Sequence, residues 1–178
     1  MTRVPSILTP RIELVSLSLA FLDNLLGGRH FIAEGMGGFP LPGGWPDEAD
    51  TRILKLRFDQ MRSDPESQVW LIRAMVLREG GRVMAGHIGF HGPPNDGALE
   101  MGYTVFPRYR RQGLALEAAQ AMMDWASRET EIRRFIVSIS PDNEASLAMA
   151  EKLGFMRAGE QMDEVDGLEY VFELAVPG

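Results

Sequence analysis

The segment Arg110–Ala115 has the residue types and the spacing of an anion-binding turn. It lies between an alternating, strand-like run (Leu99–Val105) and an alanine-rich helical pattern (Gly113–Arg128). A glycine-containing turn that opens a helix presents free backbone N–H groups at the positive end of the helix dipole, which suits phosphate oxygens. The stretch Tyr103–Ala115 contains arginines and no acid, although the whole chain has a net charge of −7. We therefore predict an anionic small ligand here, and not a nucleic acid.

The composition limits the class of protein. With 178 residues, 45% of them hydrophobic and 24% charged, the chain is expected to fold as one globular domain spanning residues 1–178. Its acidic balance argues against nucleic-acid and anionic-membrane partners. The absence of cysteine excludes disulfides, thiolate metal sites and cysteine nucleophiles. Residues 1–10 do not resemble a signal peptide, and no apolar run approaches the ~20 residues of a membrane span, so we expect a cytoplasmic protein.

The hydrophobic periodicity predicts a mixed α+β fold. A loop is expected over 35–46, where glycine and proline are frequent. Strand 99–105, helix 112–128 and strand 135–139 form a β-α-β crossover, which should make the two strands parallel. The prediction is a twisted, mostly antiparallel sheet of about seven strands with one such crossover, flanked by about four helices. The strands are expected at 12–17, 69–77, 82–90, 99–105, 135–139, 159–165 and 169–176, and the helices at 18–26, 47–62, 112–128 and 144–153.

Two common phosphate-binding motifs do not fit the turn. A P-loop requires a Gly-Lys pair, and a dinucleotide-binding fold requires G-x-G-x-x-G, whereas this turn has Gly113 alone. The pattern that remains, R-x-x-G-x-A between a strand and a helix, resembles the pyrophosphate-binding motif of the GNAT superfamily of acetyl-CoA-dependent N-acetyltransferases. The segments Glu100–Val105, Pro141–Asn143 and Lys152–Phe155 resemble the ribosomal-protein-alanine branch of that superfamily, and the resemblance covers Met84–Leu174.

The resemblance implies that acetyl-CoA is the cosubstrate; from the residues themselves we expect no metal. The resemblance also implies direct attack by an amine acceptor in a ternary complex, and it leaves a homodimer possible because members of the family often dimerise.

The residues of the implied CoA site also have simpler interpretations. Asn143 could be a helix N-cap, and this role and contact with CoA can hold together. The arginines could instead be solvated surface charge, and Gly113 an ordinary turn glycine. The CoA-binding residues implied are Val105, Phe106, Arg110, Arg111, Gln112, Gly113, Leu114, Ala115, Leu116 and Asn143.

The hairpin between Phe90 and Leu99 predicts where the acceptor amine binds. If His91 lies opposite Ala98, then Gly89 faces Glu100 and His87 faces Gly102. The period of two in each strand places one polar set on a common face of the sheet. A polar face of this kind, in a sheet flanked by helices, is a plausible acceptor site. Its members are His87, His91, Glu100 and Thr104.

An amine with a pKa of ~10 must lose a proton before it attacks a thioester, so a base is required. Glu100 is the first candidate, directly or through water, and His91 is the second. The alternatives are an exposed strand glutamate and a structural histidine. A metal site at His87 and His91 is rejected, because positions i and i+4 of a strand lie ~13 Å apart.

The acid for the departing thiolate is less well defined by the sequence. Many GNAT enzymes have a tyrosine where this chain has Met149 and Ala150. The alternatives for the acid are Ser146, water or no acid at all.

Two rival functions also stay open: a CoA-binding sensor without catalysis, and transfer of a longer acyl group. The acceptor itself, a small molecule or a protein N-terminus, is not identified.

Overall fold

Residues 4–177 of the chain are described by a computed structural model. The strands are β1 (Ile7–Leu8), β2 (Ile12–Ser16), β3 (Arg73–Leu77), β4 (Met84–Phe90), β5 (Ala98–Val105), β6 (Arg134–Ile139), β7 (Met156–Asp163) and β8 (Gly167–Ala175). The helices are α1 (Leu19–Leu26), α2 (His30–Gly37), α3 (Glu48–Ser63), α4 (Leu114–Glu129) and α5 (Glu144–Lys152). Short 3-10 helices span Pro65–Val69 and Pro107–Tyr109.

Within residues 4–177 these strands form one eight-stranded sheet in the order β1-β2-β3-β4-β5-β6-β8-β7. Every neighbouring pair is antiparallel except β5 and β6, which are parallel and joined through α4. The predicted mixed α+β class and its single parallel crossover are therefore confirmed. In the same part of the chain, no helix is both long and apolar enough to cross a lipid bilayer.

The sheet is covered on both faces. One core lies between the sheet and α4 and α5, and includes Phe90, Met101 and Met122. The other lies between the sheet and α1–α3, and includes Phe21 and Leu54. Because the sheet is covered on both faces, β4 is buried along its whole length.

Helix starts follow capping chemistry. The Ser18 hydroxyl accepts a hydrogen bond from the Phe21 N–H at 3.2 Å, and the Asp47 carboxylate accepts one from the Asp50 N–H at 2.8 Å. These caps satisfy N–H groups that have no partner inside the helix. The predicted starts at 18 and 47 therefore lie within one residue of the observed ones.

Several predicted boundaries were wrong. Helix α2 was not predicted; it extends through Gly37 into the predicted loop and ends where Gly38 adopts the left-handed conformation, at a φ of +73°. The first part of the strand predicted over 69–77 is instead a turn, because Pro65 follows the Asp64 cap and starts a 3-10 helix there. Strand β7 begins at Met156 and not at 159, and β1 was not predicted.

The predicted register of the β4–β5 hairpin was wrong by two residues. Asn95 and Ala98 exchange backbone hydrogen bonds, and Asp96 and Gly97 between them have φ angles of +48° and +68°. Between this turn and the ladder, the β4 side of the connection has two more residues than the β5 side, and the His91 N–H donates to the Glu100 carbonyl at 2.8 Å. His87 accordingly faces Thr104, and Gly89 faces Gly102. A shift of two preserves the faces, so the predicted polar set still lies together.

Candidate active site

The sheet opens between β5 and β6. Their pairing is confined to the start of β5, from Ala98 opposite Arg134 to Glu100 opposite Ile136. Beyond Glu100, β5 continues to Val105 without β6 beside it. The result is a V-shaped opening with Glu100 at its apex.

The peptide groups of β5 that border this opening follow from the ladder with β4. The His91 N–H bonds to the Glu100 carbonyl, and the Phe106 N–H bonds to the Ala85 carbonyl at 2.9 Å. Hydrogen-bonded and non-hydrogen-bonded pairs alternate in an antiparallel ladder. Tyr103 and Val105 therefore direct their peptide groups away from β4, towards the opening. The Val105 carbonyl accepts a hydrogen bond from Arg110 Nε at 2.9 Å.

The predicted anion-binding turn lies at the wide end of the opening. Arg111 and Gly113 both adopt positive φ angles, +60° and +76°, and Gly113 caps α4 without a side-chain hydrogen bond. The Glu117 N–H bonds to the Gly113 carbonyl, so the N–H groups of the residues between them precede the intrahelical ladder. Those residues are Leu114, Ala115 and Leu116. Their N–H groups at the positive helix end fit a phosphate group.

Side chains around the turn have separate roles. Leu114 is buried in the core, so its backbone alone is available to a ligand. Gln112 donates to the Arg108 carbonyl at 3.2 Å and so braces the turn. Arg110 and Arg111 are exposed. These observations agree with an anion-binding turn built from backbone N–H groups and flanking arginines.

Arg11, in the β1–β2 connection, also reaches the turn. Its Nη1 donates to the Gln112 carbonyl at 2.7 Å, and its Nε donates to Glu117 at 2.6 Å. Burial by itself raises the pKa of Glu117, but hydrogen bonds from Thr9 and Arg11 outweigh it and the pKa lies below its ordinary value. The acid in the first turn of α4 is thus neutralised by Arg11, which keeps the site electropositive. The sequence analysis missed this residue because it is about a hundred positions away.

Glu100 and His91 lie together at the apex, on the face that α3 covers. They were predicted as diagonal neighbours on one face and are direct cross-strand partners. The Glu100 carboxylate is 3.6 Å from His91 Nδ1, and their side chains are 32% and 45% exposed. On its other oxygen, Glu100 accepts a hydrogen bond from the Ser138 hydroxyl of β6 at 2.7 Å. The pair is therefore fixed on both sides yet accessible to a ligand from solvent.

Helix α3 fixes the end of β4 beside this pair. Arg57 Nη1 and Gln60 Nε2 both donate to the His91 carbonyl, at 3.1 and 2.8 Å. Burial lowers the pKa of Arg57, and the charge of Glu100 opposes that change. Neither residue was among the predicted site residues, because their contacts with β4 depend on how α3 packs on the sheet.

His87 does not share the accessible site. Its Nε2 lies 2.7 Å from Asp50 of α3, and both residues are buried. His87 and His91, which were predicted on one polar face, thus belong to separate environments under the same helix. Among residues 4–177, no three His, Asp or Glu side chains are grouped as metal ligands.

Ser146 and Asn143 lie at the start of α5, across the opening from β5. Asn143 Oδ1 accepts a hydrogen bond from the Ser146 N–H at 3.1 Å, so Asn143 is an N-cap. The Tyr103 hydroxyl donates to Ser146 Oγ at 2.8 Å. On the α3 side, Phe106 follows Val105 and lies 6.3 Å from the ring of Trp45.

Comparison with known proteins defines the class of this chain. The profile described as "Acetyltransferase (GNAT) domain" matches residues 33–156. The chain belongs to the GNAT acetyltransferase family and is an acyltransferase. Over 150 residues it is 27% identical to the uncharacterized N-acetyltransferase YjdG of Bacillus subtilis. The matched region covers 83% of this chain and 88% of that protein.

Solved structures agree on the fold. The ribosomal-protein-S5-alanine acetyltransferase from Vibrio fischeri superposes with a TM-score of 0.68 over 96% of both chains, at 15% identity. The microcin C7 self-immunity acetyltransferase MccE, solved in complex with acetyl-CoA and AMP, superposes with a TM-score of 0.62 over 94% of both chains, at 15% identity. Similarity at this level supports the architecture, while acetyl-CoA use follows for this chain as an implication of the family.

Proposed function

We propose that this enzyme transfers the acetyl group of acetyl-CoA to a primary amine by direct attack within a ternary complex. The observation that carries the proposal is the opening between β5 and β6, with the Glu100 carboxylate at its apex and the start of α4 at its wide end. One end offers a base and the other an anion site, as transfer from a pyrophosphate-containing thioester to an amine requires.

In this proposal the donor lies along the opening. The N–H groups of 114–116 bind the pyrophosphate, and Arg110 and Arg111 neutralise its charge. The Val105 carbonyl already accepts from Arg110, so its N–H group is the one that would bond to the donor. Phe106 and the amide NH2 group of Asn143 would contact the pantetheine arm. Gly113 leaves room for the phosphates because it has no side chain.

The acceptor is proposed to approach from the α3 side, over Glu100 and His91. Glu100 takes the amine proton, directly or through one water molecule, because its carboxylate is both held and solvent-accessible. A chain of hydrogen bonds extends this polar surface: Gln161 Nε2 donates to Ser138 Oγ at 3.2 Å and to Glu169 at 3.0 Å. The acids in it favour a cationic amine as the incoming acceptor.

The reaction then follows from these positions. The deprotonated amine nitrogen attacks the thioester carbon, a C–N bond forms, and the C–S bond breaks. Negative charge that develops on the carbonyl oxygen would be stabilised by a backbone N–H that faces the opening, for which Val105 is the candidate. Ser146 is the proposed donor of a proton to the leaving sulfur.

Initial-rate kinetics test the proposal. The purified chain is assayed with acetyl-CoA and a panel of primary amines, including amino acids, polyamines and peptides with free N-termini, and the released thiol is measured. Direct transfer in a ternary complex predicts intersecting double-reciprocal plots. Parallel lines would indicate an acetylated enzyme instead. Tight binding of acetyl-CoA without transfer to any amine would support the CoA-binding sensor.

A further inference from the structure

Tyr103 lies on the face of β5 opposite to Glu100. Side chains of a strand alternate between its two faces, so Glu100 faces α3 and Tyr103 faces α4 and α5. The Tyr103 ring packs against the core on that side, and its hydroxyl donates to Ser146 Oγ at 2.8 Å. One splayed strand thus carries a carboxylate on the acceptor side and a phenol on the side of α5.

The direction of the Tyr103–Ser146 hydrogen bond leaves the serine able to donate. Ser146 Oγ accepts from Tyr103, so its own hydroxyl proton can be directed to a third group. The backbone of Ser146 is held in place as well, because its N–H bonds to Asn143 Oδ1. The pair therefore joins the two walls of the opening, β5 and α5, at a fixed distance.

A serine alone is a poor acid for a thiolate, because its proton leaves behind an alkoxide. A phenol has an ordinary pKa of about 10, so a phenol behind the serine makes the same transfer far less costly. Burial raises the pKa of Tyr103, and the hydrogen bond to Ser146 offsets part of that rise. The phenol accordingly retains its proton at neutral pH. One turn along α5, the buried Ala150 offers no hydroxyl.

We propose that Tyr103 supplies the proton for the departing thiolate, acting through the Ser146 hydroxyl. The inference rests on the proposed acetyl transfer. As the C–S bond breaks, its electron pair stays on sulfur, the Ser146 proton moves to sulfur, and the Tyr103 proton moves to Ser146 Oγ. The phenolate then takes a proton from water, and Glu100 returns the amine proton to solvent, so the protons balance. Ser146 touches the leaving group, while Tyr103 is a positioning and proton-supplying residue behind it.

The decisive test varies the leaving group. Acetyl-CoA is compared with acetyl thioesters of aromatic thiols of graded pKa, whose thiolates need less protonation. In Tyr103→Phe we expect kcat/KM to fall about 10- to 100-fold with acetyl-CoA and to change little with the most acidic thiol. Ser146→Ala should show the same pattern, and Ser146→Thr, which keeps the hydroxyl, should restore most of the activity. An equal loss with every donor would mean that Tyr103 only packs α5 against the sheet, and would overturn the relay.

Two further measurements distinguish loss of the proton relay from loss of donor binding or of folding. Acetyl-CoA affinity, measured by calorimetry, should be unchanged in Tyr103→Phe, and Tyr170→Phe serves as the matched control on β8. If Tyr103→Phe does not fold, fluorotyrosine at position 103 preserves the ring and lowers the phenol pKa. Among the described residues, the hydroxyl of Tyr103 is hydrogen-bonded to Ser146. A phenol with a lower pKa loses its proton at lower pH, so the alkaline limb of the rate should move to lower pH. An unmoved limb contradicts the relay, whereas a wild-type chain that acetylates no amine contradicts the proposed function itself.

Discussion

The His91 imidazole and the Glu100 carboxylate lie 3.6 Å apart because the two residues are direct cross-strand partners at the end of the β4–β5 ladder. Each is also held from outside the pair: Arg57 and Gln60 bind the His91 carbonyl, and Ser138 binds the carboxylate. This arrangement determines the charge state of the proposed base.

The pH dependence of the reaction should report the His91–Glu100 contact. The neighbouring His91 imidazole lowers the pKa of Glu100; burial opposes this change, and the Ser138 hydroxyl and the charge of Arg57 lower the pKa further. A lowered pKa keeps the carboxylate ionised below the ordinary glutamate value of about 4.3. The acid limb of kcat should therefore lie below that value, and His91→Gln should move it to higher pH.

The measurement uses the same acceptor amine for wild type and variants, so that the ionisation of the amine contributes equally to each limb and the shift reports Glu100. Ser138→Ala, which removes a smaller contribution to the Glu100 pKa, should shift the limb in the same direction by less. An acid limb that is identical in wild type and His91→Gln would show that Glu100 is not the titrating base.

Removing the proposed base should separate catalysis from donor binding. In Glu100→Gln we expect kcat to fall about 100-fold or more, the usual contribution of a general base. The dissociation constant for acetyl-CoA, measured by calorimetry, should be unchanged, because Glu100 is at the apex and not at the anion-binding turn. Glu160→Gln, in an exposed ion pair with Arg157, is the control and should be fully active. Wild-type rates in Glu100→Gln at every pH would remove Glu100 from the mechanism.

A bulky side chain at Gly113 should abolish donor binding. Gly113 has a φ of +76°, and a Cβ there would lie 3.4 Å from Arg11 Nη2. Gly113→Trp therefore fills the space in front of the α4 N–H groups, and calorimetry should detect no binding of acetyl-CoA. Gly80→Trp is matched to it, since Gly80 has the same φ of +76° but lies in the open β3–β4 turn. Unchanged affinity in Gly113→Trp would show that the turn does not bind the donor.

The position of His91 depends on the absence of a side chain at Gly102. A Cβ at Gly102 would lie 2.9 Å from His91 Nε2, so Gly102→Ala should push the imidazole aside. Because the tip of a side chain moves and the backbone does not, the free energy of unfolding in urea should change little. The acid limb of kcat should nevertheless shift as in His91→Gln. Gly92→Ala, where a Cβ meets open space, should leave the limb in place.

The buried His87–Asp50 pair should contribute to stability. Asp50→Ala leaves the His87 ring nitrogen buried without its partner, which typically costs about 1–3 kcal/mol in the free energy of unfolding. Asp50→Asn, which retains a hydrogen-bonding oxygen, should cost less, and Asp59→Ala on the exposed side of α3 should cost little. Urea denaturation measures all three variants. A loss in Asp50→Ala no larger than in Asp59→Ala would show that the pair does not stabilise the packing of α3.

Much of the fold was accessible from local patterns. The helical patterns over 18–26 and 47–62, the period-two alternation of β5 and the apolar run of β6 predicted elements within a few residues of the observed ones. The order of strands around α4 predicted the parallel pair. Prediction was poorer where glycine-bearing or apolar segments could adopt either conformation, as in α2 and in the apolar run over 69–72. The Asp96–Gly97 pair is a known hairpin signal. It would not by itself have given the register, because three residues separate His91 from Asn95 and only one separates Ala98 from Glu100.

The sequence by itself determined the glycine turn before α4 and the polar face of β4 and β5, because both depend on local chemistry: the spacing around Gly113 and the alternation that places Glu100 with His91. The tertiary structure decided which of those residues meet. It separated His87 from His91 by the packing of α3, brought Arg11 to the turn, and joined Tyr103 to Ser146 across the opening. These contacts link residues tens of positions apart, and no periodicity within a segment encodes how one helix packs on a sheet.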